Sequence, residues 1–252
     1  MPHYKLLALD LDGTVLTDDK KITKETRKWI HKAVEEGVTV IFSTGRGIQT
    51  AGAIWEELAL DAPMVLVNGA EIWKGPGQLW ERHFINRDDI RWLHEQAMRA
   101  GAKFWGYSVE SLTHKKDWTD EMFARDWLKF GMHHTDLDEI QKLRELLLER
   151  ESIEITRSAP INIEISLKGI SKETGVRRVC ELLGITMDQV MAVGDNLNDQ
   201  RLIRAAGLGV AMGNGDAELK KIADIVTESN EENGVAKAIE RYLLGSYNPI
   251  KA

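Results

Sequence analysis

The stretch that decides the fold is residues 6–14, which read Leu-Leu-Ala-Leu-Asp-Leu-Asp-Gly-Thr. Four apolar residues run into Asp10, and a second acid, Asp12, follows two positions later. Gly13 then allows the chain to turn away. A short run that is apolar on both faces is typical of a buried strand in a parallel sheet. We therefore predict a strand with Asp10 at its carboxyl end.

The same pattern, a short apolar run that ends in a polar residue, recurs along the chain at 38–42, 64–67, 190–193 and 208–212. Helical patterns lie between these runs. One has Thr23 as its expected N-cap, and another has apolar residues at helical spacing over 176–183 before Gly184. This alternation predicts an α/β fold with a doubly wound, Rossmann-like parallel sheet. Ligands of such sheets bind beyond the carboxyl ends of the strands.

The alternation breaks between about residues 75 and 166, where five of the eight tryptophans lie. We expect helices at 87–100, 119–129 and 136–149, a strand pair near 103–114, and strands at 153–157 and 161–166. Residues 78–166 are therefore predicted to form an inserted α+β cap domain, and residues 1–77 and 167–252 a core domain. The glycine-rich turn at 75–77 is predicted to be a linker or a turn.

Composition excludes several classes of protein. The 252 residues are 43% hydrophobic and carry a net charge of −7, which excludes wholesale disorder and a multispan membrane protein. An acidic chain has no broad attraction for nucleic acid or anionic lipid, so neither is an expected partner. Cys180 is the single cysteine, so no intrachain disulfide can form, and a cytoplasmic location is expected. The N-terminal apolar run is too short and too acidic for a signal peptide or a membrane span.

Two acidic segments predict a cation site. Asp10 and Asp12 repel each other unless a cation lies between them, and a hard cation such as Mg²⁺ is the simplest answer. The segment 194–199, Gly-Asp-Asn-Leu-Asn-Asp, also follows a predicted strand, so Asp195 can complete the site. An EF-hand calcium loop is excluded, because its twelfth position would be Lys21 and its glycine is misplaced. The alternative reading is an acidic turn and an acidic helix N-terminus, which the helix dipole favours.

Two further features could bind a phosphate group. Thr44 and Gly45 lie at a strand-to-helix turn, where a hydroxyl and free backbone N–H groups suit an anion. Lys172 opens a predicted helix, a position that disfavours a cation by roughly 0.3–1 kcal/mol unless a bound anion or acid offsets it. The alternative for Lys172 is a solvated side chain eased by Glu173. A nucleophilic Asp, a metal, a Lys and a Thr together suit phosphoryl transfer.

With these motifs the chain resembles the phosphatases of the haloacid dehalogenase superfamily, specifically the Cof-type (IIB) branch with a type 2 cap. The resemblance implies that Asp10 is the nucleophile and Asp12 the general acid and base. It implies Mg²⁺ held by Asp10, the backbone carbonyl of Asp12 and Asp195, with Asp199 bound directly or through water. It also implies that the phosphate contacts the Leu11 backbone, Thr44, Gly45, Lys172 and Asn198. Lys168 is the weaker candidate for the lysine of this family.

The expected function is that of a Mg²⁺-dependent phosphatase, which hydrolyses a small, sugar-phosphate-like metabolite through an aspartyl-phosphate intermediate. One alternative is a phosphomutase, which would release no free phosphate. A second is a receiver-like signalling domain phosphorylated on Asp10, and a third is an inactive binding protein. The presence of Asp12 and of an inserted domain argues against the receiver. The sequence predicts neither the identity of the substrate nor the oligomeric state.

Overall fold

The computed structural model describes residues 2–245, in which strands and helices alternate as predicted. The strands are β1 (Leu6–Leu9), β2 (Thr39–Phe42), β3 (Met64–Leu66), β4 (Glu71–Gly75), β5 (Gln78–Arg82), β6 (Lys103–Ser108), β7 (Leu112–His114), β8 (Trp127–His133), β9 (Ile153–Thr156), β10 (Asn162–Leu167), β11 (Val190–Gly194), β12 (Leu208–Ala211) and β13 (Ile225–Val226). The α-helices are α1 (Lys24–Glu35), α2 (Ile48–Leu58), α3 (Arg87–Arg99), α4 (Leu137–Leu148), α5 (Lys172–Leu183), α6 (Gln200–Ala205), α7 (Ala217–Ile222) and α8 (Gly234–Ala238).

A five-stranded parallel sheet lies at the centre of the molecule, with its strands in the order β13-β12-β11-β1-β2. β1 is fully buried between β11 and β2, and Leu9 pairs with Val193 on one side and with Phe42 on the other. A parallel bridge between Ser43 and Val65 attaches β3, which continues into the antiparallel sheet β3-β4-β5. The carboxyl ends of β1, β2 and β11 therefore lie side by side, and the predicted α/β fold is confirmed.

The helix boundaries follow from capping groups in the sequence. Thr23 caps α1 by accepting a hydrogen bond from the Thr26 N–H at 3.1 Å. Ser171 caps α5 in a reciprocal capping box with Thr174. Gly184 ends α5 with a φ of 66°, a left-handed conformation that favours glycine. Both of these helices were predicted from the sequence, and both are confirmed.

A second sheet is antiparallel, with its strands in the order β7-β6-β8-β10-β9. It packs with α3 and α4 around a hydrophobic core of its own, which includes Phe104, Trp127 and Phe130. The predicted helices at 87–100 and 136–149 and the predicted strands in this region are confirmed to within a few residues. The glycine-rich segment 75–77 is the turn of the hairpin β4-β5, so the predicted domain boundary falls within that hairpin.

The helix predicted at 119–129 is wrong. Residues Asp120–Ala124 form a short 3₁₀ helix, and β8 follows it as the strand between β6 and β10. From Lys129 onward, alternate side chains of β8 face opposite sides of the sheet, with Phe130 and Met132 in the core of the second sheet. Pairing with two neighbouring strands outweighs the local helical pattern, because both edges of β8 gain hydrogen bonds.

The ends of the predicted core domain, residue 1 and residues 246–252, lie outside the described part of the chain. Within residues 2–245, none of the helices is both long enough and apolar enough to cross a lipid bilayer.

Candidate functional site

Three carboxylates, two buried and one half-buried, meet at the carboxyl ends of the parallel strands. Asp10 follows β1, Asp195 follows β11, and Asp199 is the N-cap residue of α6. One oxygen from each lies within 4.8 Å of the others. The backbone N–H groups of Asp195 and Asn196 donate to Asp199 Oδ2, each at 3.2 Å, which holds that carboxylate in place. This cluster is the acidic site that the sequence predicts.

Lys172 lies beneath the three carboxylates and is completely buried. Its Nζ donates to Asp10 Oδ1 at 2.7 Å and to Asp199 Oδ1 at 2.6 Å. Burial alone would lower the pKa of Lys172, but the charges of Asp10 and Asp199 outweigh it and raise the pKa. The first residue of α5 is therefore a buried cation paired with the carboxylate cluster and not a solvated lysine.

The cluster has more negative than positive charge. Burial, followed by the charges of Asp10 and Asp199, raises the pKa of Asp195 well above its usual range. One lysine opposes three carboxylates, so an excess of two negative charges is left when all three are ionised. A divalent cation would balance this excess, and carboxylate oxygens are the ligands that hard cations prefer. Asp10, Asp195 and Asp199 can therefore hold a divalent metal ion.

Gly13 makes room for this cluster. Its φ is 76°, and a side chain at this position would overlap the Asp195 carboxylate. The next residue, Thr14, donates its hydroxyl to Asp195 Oδ1 at 3.3 Å. The turn after β1 therefore approaches Asp195 closely, as only a glycine permits.

Asp12 lies in the same cavity as Asp10, but its carboxylate is not part of the three-carboxylate cluster. Arg46 donates to its two oxygens from Nε and Nη2, both at 2.7 Å, and Lys20 Nζ donates at 2.8 Å. Burial works to raise the pKa of Asp12, but the hydrogen bonds from Arg46 and Lys20 outweigh it and lower the pKa to about 2. Asp12 is therefore ionised at neutral pH.

The predicted phosphate-binding residues border the same space. Thr44 and Gly45 follow β2 and line the cavity, and Asn198 lies across from them. The Thr44 hydroxyl accepts a hydrogen bond from the Arg46 N–H at 3.2 Å. Asn198 Oδ1 is buried and has no hydrogen-bond partner among residues 2–245. The Leu11 side chain is buried in the core, so only its backbone could contact a ligand.

The cavity has a volume of about 320 Å³. We call its two sides the floor and the roof. The floor consists of the strand-end residues of the parallel sheet, including Asp10, Thr44 and Asp195. The roof comes from the second sheet and the segment between β9 and β10, and consists of Trp105, Tyr107, Lys129, Ser158 and Glu164.

Sequence reasoning missed all five roof residues. Lys129 falls in the stretch 119–129 that was predicted to be a helix, and this error hid its direction. Period-two alternation through Lys129, Gly131 and His133 is the signal that could have revealed it. No spacing along the chain relates the other roof residues to one another.

Buried polar contacts join the roof to the floor. Lys129 Nζ donates to the Gly45 carbonyl at 2.7 Å, and Asn68 Nδ2 donates to Glu164 Oε2 at 2.6 Å. Lys129 and Glu164 lie 3.4 Å apart as an ion pair, and Ser158 donates to Glu164 Oε1 at 2.8 Å. Burial would raise the pKa of Glu164, but Lys129 and these hydrogen bonds outweigh it and lower the pKa.

Asn68 reaches Glu164 because the chain bends sharply after β3. Val67, Asn68 and Gly69 all have positive φ angles, of 52°, 55° and 99°. A β-branched residue rarely adopts this conformation, so the bend is strained at Val67. The hydrogen bond from the Val67 N–H to the Arg46 carbonyl, at 2.9 Å, supports it.

Comparisons with known proteins agree with this geometry. A family model described as haloacid dehalogenase-like hydrolase matches residues 7–130 and 107–239. The 5-amino-6-(5-phospho-D-ribitylamino)uracil phosphatase YcsE of Bacillus subtilis is 40% identical over 240 residues, which are 95% of this chain and 96% of that protein. The putative phosphatase YxeH of the same organism is 31% identical and covers 96% of this chain and 99% of its own. A solved haloacid dehalogenase-like hydrolase from B. subtilis shares the fold, with a TM-score of 0.87 at 24% identity over 95% of this chain and 100% of its own.

Proposed function

The chain belongs to the haloacid dehalogenase-like hydrolase family and is a phosphoric monoester hydrolase, and from this premise we propose that it is a Mg²⁺-dependent phosphatase that uses an aspartyl-phosphate intermediate. One observation carries the proposal: Lys172 bridges Asp10 and Asp199 beside Asp195, and Asp10 and Asp195 line a cavity that Asp12 also lines. The proposed nucleophile is thus in contact with a buried cation, is part of a metal-binding cluster and shares a cavity with a second acid.

The proposed ligands of Mg²⁺ are Asp10, the backbone carbonyl of Asp12 and Asp195, with Asp199 bound directly or through water. The excess negative charge of the three-carboxylate cluster supports this assignment. When bound, Mg²⁺ shields the repulsion between the Asp10 carboxylate and the oxygens of the phosphoryl group.

In the proposed first step, an Asp10 oxygen attacks phosphorus, and an O–P bond forms as the ester O–P bond breaks. The leaving oxygen receives its proton through Asp12, which must first take that proton up from solvent, because its pKa of about 2 leaves it ionised at neutral pH. In the second step, Asp12 takes a proton from a water molecule, whose oxygen attacks phosphorus. The bond to Asp10 breaks and inorganic phosphate is released. The pKa of about 2 that Arg46 and Lys20 give Asp12 favours the ionised form required of the base.

Five groups are proposed to bind the phosphoryl oxygens. The Thr44 hydroxyl, the Lys172 ammonium and the Asn198 side chain act together with the backbone at Leu11 and Gly45. The cavity-lining position of Thr44 and Asn198 supports this set. Such groups stabilise the charge that builds up on the oxygens in the transition state.

We keep the predicted division into a core domain, residues 1–77 and 167–252, and a cap domain, residues 78–166, as a proposal. The roof residues of the second sheet and their contacts with Gly45 and Asn68 support it. A cap in this position excludes water and large phosphate carriers from the floor. The proposed substrate is therefore a small phosphorylated metabolite and not a nucleic acid.

The relative that is 40% identical carries the name of a phosphatase for 5-amino-6-(5-phospho-D-ribitylamino)uracil. We propose a substrate of the same class for this chain: a phosphorylated polyol that bears a pyrimidine ring. Such a molecule has the small, sugar-phosphate-like phosphate end that the sequence motifs predict.

The test is the release of inorganic phosphate from a panel that includes this ester, ribitol 5-phosphate and hexose phosphates. We expect turnover with Mg²⁺ and its loss in EDTA. Asp10→Asn should retain less than about a hundredth of the activity, because a covalent nucleophile is lost. Asp19→Asn, an exposed acid outside the cavity, is the matched control and should be unchanged. Activity of Asp10→Asn above that limit, or isomerised ester without free phosphate, would contradict the proposal.

A further inference from the structure

The indole ring of the roof residue Trp105 lies flat against the second sheet, because the residue paired with it on the neighbouring strand is a glycine. Trp105 lies on β6 and pairs in register with Gly131 of β8. A side chain at Gly131 would overlap ring atoms of the Trp105 indole, so the ring lies over the Gly131 backbone. The register and the glycine therefore fix the plane of this ring.

The free face of Trp105 has no aromatic partner. Trp118 and Trp127 stack on each other at 4.6 Å in the core of the second sheet, whereas Trp105 is stacked on no other ring among residues 2–245. Trp105 is half-buried, and it lines the same cavity as Asp10. A large aromatic face turned toward a cavity is an unused binding surface.

The surroundings of Trp105 suit the middle of a polyol ester. In the cross-strand row, Gly131 lies between Trp105 and Glu164, so the indole that covers Gly131 extends toward Glu164. Polar groups of Lys129, Ser158 and Asn196 line the same cavity between roof and floor. With its phosphate at Asp10, a substrate extends its leaving group past these hydroxyl-binding groups toward the indole.

We infer that Trp105 is a specificity-determining residue that binds the planar heterocycle of the leaving group by stacking. The inference rests on the proposed function, since it needs the phosphate end at Asp10. A ring seated on Trp105 raises kcat/KM for the ring-bearing ester and does nothing for an ester that ends at the polyol. Trp105 touches substrate far from the reacting atoms, so it selects the substrate without taking part in proton or phosphoryl transfer.

The experiment compares kcat/KM for 5-amino-6-(5-phospho-D-ribitylamino)uracil with kcat/KM for ribitol 5-phosphate, the same polyol phosphate without the ring. Stacking of a base on an aromatic residue corresponds to a factor of about 5 to 150 on alanine substitution. We expect Trp105→Ala to lower the ratio of the two values by a factor in this range, with turnover of ribitol 5-phosphate nearly unchanged. Trp105→Phe should recover most of the ratio, because a smaller ring still stacks.

Trp92→Ala is the matched control. Trp92 is a half-buried tryptophan of α3 that contacts Arg150 and lies outside the cavity, so its loss should leave the ratio unchanged. Equal losses for both substrates in Trp105→Ala would show a structural role and overturn the inference. A wild-type enzyme that hydrolyses both esters equally well would also overturn it, while the phosphatase function would stand. If the wild-type enzyme hydrolyses neither ester, both the proposed substrate class and this inference are overturned. The phosphatase function is then decided separately, by comparing Asp10→Asn with wild type on the remaining esters.

Discussion

Lys172 and Lys168 differ in burial, although only three residues separate them: Lys168 directly follows β10 and Lys172 opens α5. The Lys172 side chain is 0% exposed and binds two carboxylates, whereas that of Lys168 is 60% exposed and lies 3.7 Å from Glu154. The preference for Lys172 that the family resemblance implied therefore has a physical basis in this fold. The proposed role of Lys172, as the cation that a phosphoryl group at Asp10 contacts, rests on this burial and on its ion pair with Asp10.

We predict that Lys172→Ala lowers kcat/KM by a factor of about 30 to 1,000, which corresponds to the loss of about 2–4 kcal/mol of transition-state stabilisation. Lys168→Ala should stay within about threefold of wild type, since an exposed ion pair contributes little. Lys172→Ala also leaves two buried carboxylates unpaired, so the kinetics must be measured well below the melting temperature of the variant. Equal losses, or the reverse order, would contradict the assignment.

Glu164 contributes to the stability of the fold, because it is a buried acid that pairs with Lys129 within the roof. The pKa of Glu164 is lowered in the folded protein, so its carboxylate stabilises the fold at pH values above the unfolded pKa of about 4.5. This stabilisation is lost as the pH falls through the lower, folded pKa. We predict that Glu164→Gln lowers the free energy of unfolding at pH 7 by about 3 kcal/mol, because Lys129 keeps a buried charge without its partner.

The difference between Glu164→Gln and wild type should shrink as the pH falls from about 4.5 through the lower, folded pKa, below which the wild-type carboxyl is protonated as well. Urea unfolding at a series of pH values measures it. Glu149→Gln, an exposed acid at the end of α4, is the control and should match wild type throughout. A difference that stays constant with pH would show that the charge of Glu164 has no part in the stability.

At the scale of elements, the position of Lys172 depends on how closely α5 approaches the strand ends. A side chain at Gly175 of α5 would overlap Val65 of β3 and lie 3.3 Å from the Gly69 Cα. A side chain at Gly69 would overlap the carbonyl of Ser171, the N-cap residue of α5. Two glycines therefore allow this helix to lie against β3 and to present its first residue to the floor.

We predict that Gly175→Ala destabilises the protein by about 1–3 kcal/mol, because the added methyl group overpacks the contact with β3. Gly52→Ala is the matched substitution, since Gly52 is also inside a helix but has only the end of the Ile48 side chain near it, at 3.7 Å. It should stabilise by about 0.5–1 kcal/mol, because alanine favours the helix. Chemical denaturation measures the change in the free energy of unfolding for both variants. Stabilisation by Gly175→Ala would contradict the packing argument.

Among the elements, β8 shows what local patterns miss. The stretch at 119–129 has a residue pattern that predicts a helix, yet the chain is a strand from Trp127 onward. Neighbouring strands β6 and β10 pair with it on both sides, and these partners are distant in the sequence from one another. The residue pattern of one segment carries no information about the hydrogen bonds that two other segments supply.

For the whole molecule, the contacts between roof and floor predict a limit on substrate size. We expect kcat/KM for the best small phosphoester to exceed that for phosphopeptides by at least about a hundredfold, a difference of about 2.7 kcal/mol. The reason is that the roof contacts Gly45 and Asn68 directly, which limits the space above Asp10 to a cavity of about 320 Å³. Phosphate release from several phosphopeptides, measured beside the small esters, provides the comparison. Phosphopeptides that react as fast as the best small ester would show that the site is open.

The sequence by itself determined the parallel sheet and the acids and hydroxyl at its strand ends. Each of these signals is local, because an apolar run, a turn and a helix cap depend on residues within a few positions of one another. Asp10, Thr44 and Asp195 could be named for this reason, and the carboxyl ends of parallel strands then had to meet. Lys172 was chosen through the resemblance to the family, because its local spacing also fits a solvated lysine.

Only the tertiary structure decided what lies above those residues. Trp105, Lys129 and Glu164 come from three strands, and they meet because the register of β6, β8 and β10 places them on one face. Register depends on hydrogen bonds between distant segments, and a shift of one residue would turn every one of these side chains to the other face. For the same reason the pairing of Asp12 with Arg46 and Lys20 follows from the folded chain and not from any spacing.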